Sequence, residues 1–202
     1  MMEYDRKIFY YAAMAFLAAP IAVLLHELAH LLVYIMSGIP AQFVSFSSAV
    51  PVGASANFKS LQQLQMYYHT PKGPFVLALL AGPALTHLLG YGGWLAYRHW
   101  SRVYFWALAF GAELRVIPLL CWLPQIINGS ICTVDEPTAA LFLGLPVGVF
   151  FWPSLLAGVL CLCLLINELP KYSRIPVTIM GFVFGIIGII VVEYVADTIL
   201  FS

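Results

Sequence analysis

Residues 22–33 read Ala22-Val-Leu-Leu-His26-Glu27-Leu28-Ala29-His30-Leu-Leu-Val33, three ionisable side chains set within five positions of an otherwise apolar run. The run extends over roughly residues 8–36, and about 20 such residues are enough to cross a bilayer as a helix. On a helix, His26 and His30 lie one turn apart on the same face, so both imidazoles can reach one tetrahedral metal such as zinc. Glu27 is rotated by about 100° from His26. A carboxylate there stands beside a metal rather than on it, where it can take a proton from a water and later pass it to a leaving amine. An ionisable group at the centre of a span costs roughly 2.5–3.5 kcal/mol, and groups retained at that cost usually serve function. The plainer alternative is a polar patch that hydrogen-bonds to neighbouring helices.

The surroundings of this motif identify its solvent. Of the 202 residues 62% are hydrophobic and only 9% charged, against about 25% charged in a soluble domain. A water-soluble enzyme is excluded, because a chain of this size cannot hide that much apolar surface inside itself. Nine basic and nine acidic residues cancel, which leaves no basic excess for nucleic acid. Cys121, Cys132, Cys161 and Cys163 lack the spacing of a disulfide framework or a cysteine metal site. The first apolar stretch is too long for a signal-peptide core and is expected to remain as a span.

Five stretches are apolar and long enough to cross, roughly 8–36, 74–97, 103–123, 147–167 and 175–200. Residues 41–52 alternate apolar and small polar side chains in places, which predicts a short hairpin. Leu61, Leu64 and Gln65 have the spacing of a short interfacial helix over 58–70. Turn signals from Gln125 to Pro146 bracket another short helix. The expected fold is therefore an all-α polytopic membrane protein, a single membrane-embedded domain over 1–202 with about five transmembrane helices and a small β-like segment after the first. With the N-terminus in the cytoplasm, Arg6, Lys7, Arg98, Arg102, Lys171 and Arg174 fall inside and only Lys59 and Lys72 outside, so the positive-inside bias favours that orientation.

A His-Glu-x-x-His motif in the first span, a β-like segment after it and Ala81-Gly82-Pro83 in the next span together resemble the site-2 protease family of intramembrane zinc metalloproteases. The resemblance covers most of the chain loosely, with the first motif its specific part. It implies one zinc per chain held by His26, His30 and an aspartate, and hydrolysis of peptide bonds in or beside membrane-spanning substrates. The aspartate's counterpart is Asp135, although Asn128 is one place out of register with the family's pattern and Glu136 stands where it has Gly. The family also has an Asn after Gly-Pro in the second core span, and here Thr86 or His87 would take over its supporting role. The family's site lies nearer the cytoplasm, whereas an N-in chain puts His26 toward the other side.

A catalytic zinc needs three protein ligands, and Glu136, His87, Glu113 and Glu193 are the rivals of Asp135 for the third. Glu113 and Arg115 in the third span read as a structural charge pairing. Gly181, Gly185 and Gly188 in the last span allow close helix packing, within the bundle or between protomers as a homo-oligomer. Tyr10, Tyr11, Trp100, Trp152 and Tyr172 near span ends form an interfacial aromatic belt. The expected activity is an intramembrane zinc endopeptidase with Glu27 as general base and then acid, acting on a membrane-protein segment. The rival is a non-proteolytic membrane protein, either a metal transporter or an inactive protease-like scaffold.

Overall fold

The computed structural model describes residues 2–52, 72–128 and 134–200. The expected helix over 58–70, Cys132 and most of Asn128-Gly129-Ser130 lie outside them. In chain order the elements are α1 (Met2–Met36), β1 (Ala41–Ser45), β2 (Ser48–Pro51), α2 (Lys72–Trp100), α3 (Val103–Glu113), α4 (Val116–Ile127), α5 (Asp135–Phe142), α6 (Gly148–Glu168) and α7 (Arg174–Leu200). Among the described residues five stretches are helical, long and apolar enough to cross a membrane: Arg6–Met36, Lys72–Trp100, Val103–Ile127, Gly148–Glu168 and Arg174–Leu200. The chain is thus a multi-pass, all-α membrane protein with a two-stranded sheet after its first helix.

The third span differs from the single helix expected over 103–123. It breaks at Leu114 and Arg115 into α3 and α4. Pro118 accounts for the break, since its ring has no N–H and would collide with the Leu114 carbonyl four residues back if the helix continued.

The chain forms two compact units, one of residues Met1–Leu24, Thr86–Val116 and Ala157–Ser202, the other of Leu25–Leu85 and Ile117–Leu156. In the first unit α1 turns a stripe of small residues inward, with Ala12, Ala15, Ala19 and Ala22 all buried, while Leu17, Ile21 and Leu24 are exposed. That is the packing logic of helices in lipid, where close backbone approach rather than expulsion of large apolar groups drives association. The glycines of α7 belong to the same interface. A Cβ on Gly181 would press on Trp106 and Phe110, one on Gly185 would strike Leu114, and one on Gly188 would overlap the Phe16 main chain. This stripe is therefore occupied within the chain. Gly188→Ala is expected to lower stability by about 1–3 kcal/mol through overpacking against rigid backbone, read as a lower unfolding temperature in detergent, whereas Ile190→Ala on the exposed side of α7 should change it little.

The second unit holds an aromatic core in which Phe75 of α2 packs on Phe142 of α5 at 4.4 Å between ring centroids and on Tyr34 of α1 at 5.7 Å. α1 and α5 end by the same device. Gly38 and Gly144 adopt positive φ of 73° and 70°, and Ile39 N–H bonds back to Tyr34 O at 2.9 Å as Leu145 N–H does to Ala140 O at 2.9 Å. Each is a Schellman cap followed by a proline, Pro40 or Pro146, that prevents the helix from resuming. The cap on α1 turns the chain straight into the β1–β2 hairpin, with Gln42 opposite Val50 and Phe43 opposite Ala49. It thereby brings β2 back beside the last turns of α1.

Candidate metal centre

His26 and His30 project from one face of α1 with ring centroids 4.7 Å apart, as one-turn spacing requires. Their Nε2 atoms are 3.0 Å from each other. Asp135, the first residue of α5, brings Oδ2 to 3.2 Å from His26 Nε2 and 3.4 Å from His30 Nε2. The three atoms form a triangle of sides 3.0, 3.2 and 3.4 Å. Ligands about 2.0–2.1 Å from a tetrahedral zinc stand about 3.3 Å apart, so this triangle matches one face of such a site.

The surroundings fit the same ion. His30 Nδ1–H donates to the Ala78 carbonyl of α2 at 2.7 Å, which leaves the lone pair of the neutral ring on Nε2, the atom that faces His26 and Asp135. His30 is buried, while the side chain of Asp135 is 25% exposed, so the centre is closed behind the histidines and open on the aspartate side. Gly82 of α2 forms its back wall, because a Cβ at that position would overlap Nε2 of both histidines. Two imidazole nitrogens and one carboxylate oxygen are a zinc donor set, and they exclude a hard calcium or magnesium site.

Glu27 points aside from this triangle, as its rotation on the helix demands. Its Oε2 accepts the Ala49 backbone N–H of β2 at 2.9 Å, and one carboxylate oxygen lies within 4.8 Å of ligand atoms of both histidines.

The other sequence candidates go elsewhere. Glu136 is buried and accepts the Ser154 hydroxyl of α6 on Oε1 at 2.7 Å. His87 Nδ1 lies 3.2 Å from Glu113 Oε1, a partner for Glu113 that the expected pairing with Arg115 did not include. Glu113 sits in a slot cleared by Gly90 of α2 and Gly158 of α6. Thr86 is buried on α2, one turn beyond Gly82, and Glu193 is half-buried on α7. Sequence reasoning did not find the Ala78 carbonyl, the Ala49 N–H or Ser154. The first two are main-chain groups with no residue signature. Ser154 could have been suspected as a lone hydroxyl after Pro153 in an apolar span.

The fold and site define a polytopic membrane protein carrying a His-Glu-His-Asp cluster, three of its members on the first apolar helix. Comparison of the chain with protein-family models, with curated proteins and with solved structures finds no match.

Proposed function

We propose that the chain is an intramembrane zinc endopeptidase. The observation that carries this reading is the 3.0, 3.2 and 3.4 Å triangle of His26 Nε2, His30 Nε2 and Asp135 Oδ2 with a carboxylate, Glu27, beside it. A zinc ion held by those three residues would supply Lewis acidity toward a water and a peptide carbonyl. Glu27 takes a proton from the attacking water onto its carboxylate and delivers it to the leaving amine nitrogen, so one water is consumed for each peptide bond cleaved. His30 is fixed by Ala78 O and cannot swing out of line.

The substrate class follows from the hairpin and the solvent. A membrane-spanning helix hides its amides in its own hydrogen bonds, so a substrate segment has to be unwound, and an extended segment can pair with a strand edge. The outer edge of β2 is the candidate partner, and a substrate carbonyl docking there competes with Glu27 for the Ala49 N–H.

Purified protein is expected to hold one zinc per chain by elemental analysis. Asp135→Ala should lower that occupancy severely, since two histidines alone do not complete a catalytic zinc site. Zinc-free protein from a preparation supplied with zinc throughout would remove the enzyme reading. The transporter reading draws on one observation, the second polar pair of half-buried His87 and buried Glu113, because relays set polar groups in several spans. Zinc uptake into proteoliposomes that is abolished by Glu113→Gln, with no cleavage of any membrane substrate, would favour it.

A further inference from the structure

The first turn of α5 has to place one carboxylate oxygen against two imidazoles. Its N-cap, Val134, offers no side-chain bond to the helix. The helix has eight residues, six of them buried, and even a small rotation within that packing is harmful. A side-chain atom about 5 Å from the axis moves about 1.7 Å for a 20° rotation, while metal–ligand distances tolerate about 0.2 Å.

The neighbouring residue meets this need. Glu136 is 1% exposed, lies about 100° around the helix from Asp135, and accepts the Ser154 hydroxyl on Oε1 at 2.7 Å. Ser154 is itself buried on α6. A buried carboxylate is a poor choice for stability alone, since a well-packed apolar residue of similar volume often serves as well or better. It is a good choice for direction, because a hydrogen bond fixes an azimuth that apolar packing leaves loose.

We infer that Glu136 and Ser154 are positioning residues for the metal centre: their bond sets the rotation of α5 and so the placement of Asp135 Oδ2. The inference rests on the zinc reading above. Glu136, a rival for the third ligand in the sequence, acts here through its neighbour and touches no metal.

The test measures zinc affinity of the purified protein by competition with a chromophoric chelator, together with the visible spectrum of the cobalt(II)-loaded protein. Ser154→Ala and Glu136→Leu are expected to weaken zinc binding by about 10–100-fold, the usual effect of losing a group that orients a ligand, and to alter the cobalt spectrum. Glu136→Gln keeps an acceptor for the serine hydroxyl and should stay within about threefold of wild type. Thermal unfolding of the zinc-free proteins is followed in parallel. Wild-type zinc affinity and an unchanged cobalt spectrum in Ser154→Ala would overturn the inference, as would a loss in Glu136→Gln equal to that in Glu136→Leu, or a loss matched by unfolding of the zinc-free variant. A wild-type protein that binds no zinc would instead sink the zinc reading, so the two failures are told apart by the wild-type arm.

Discussion

Glu27→Gln is expected to retain its zinc and to lose peptide cleavage by about 10²–10⁴-fold, the range that a positioned general base and acid contributes. The amide keeps the shape of the carboxylate, and its Oε1 can still accept the Ala49 N–H that Glu27 Oε2 accepts at 2.9 Å. It cannot take up a proton from water. Zinc content by elemental analysis and cleavage of a reconstituted membrane substrate are measured on the same sample. Full cleavage by the variant removes the general-base role. Loss of zinc would show instead that the carboxylate is needed to build the centre.

Gly82→Ala should be nearly as damaging by a different route. The added methyl would overlap both His26 Nε2 and His30 Nε2, and the imidazoles cannot retreat without breaking the bond from His30 Nδ1 to Ala78 O. Zinc occupancy is therefore expected to fall several-fold or more, and the zinc-free protein to lose about 1–3 kcal/mol through the same overlap, offset in part by the roughly 1 kcal/mol by which Ala favours a helix over Gly. Unchanged zinc affinity in this variant would mean that α2 does not back the centre as described.

The membrane-spanning helices were legible because lipid leaves a simple mark on sequence, some 20 apolar residues in a row. The hairpin over 41–52 and the short helix before Pro146 were legible through alternation and turn residues, and each is found where the pattern put it. His26, Glu27 and His30 could be grouped because a single helix carries all three. Asp135 is different. It lies 109 residues from His26, and no local periodicity joins them, so resemblance to a family supplied it. The break in the third span was missed although Pro118 was in view, since a continuous apolar run masks a proline's effect on its preceding turn. The partnership of His87 with Glu113 was missed because two residues on different helices leave no shared pattern in either.

The outward-facing side of β2 carries a final consequence. Along that edge the residues that alternate away from β1 are Ala49 and Pro51. Proline has no N–H to give, and the N–H of Ala49 is already engaged by Glu27. A short strand otherwise invites its neighbours to stack on it, and crowded membranes hold many chains that are still folding. Here the edge yields a donor only when Glu27 releases the Ala49 N–H, so a segment pairs with β2 only by displacing that carboxylate, and casual zippering between molecules is disfavoured.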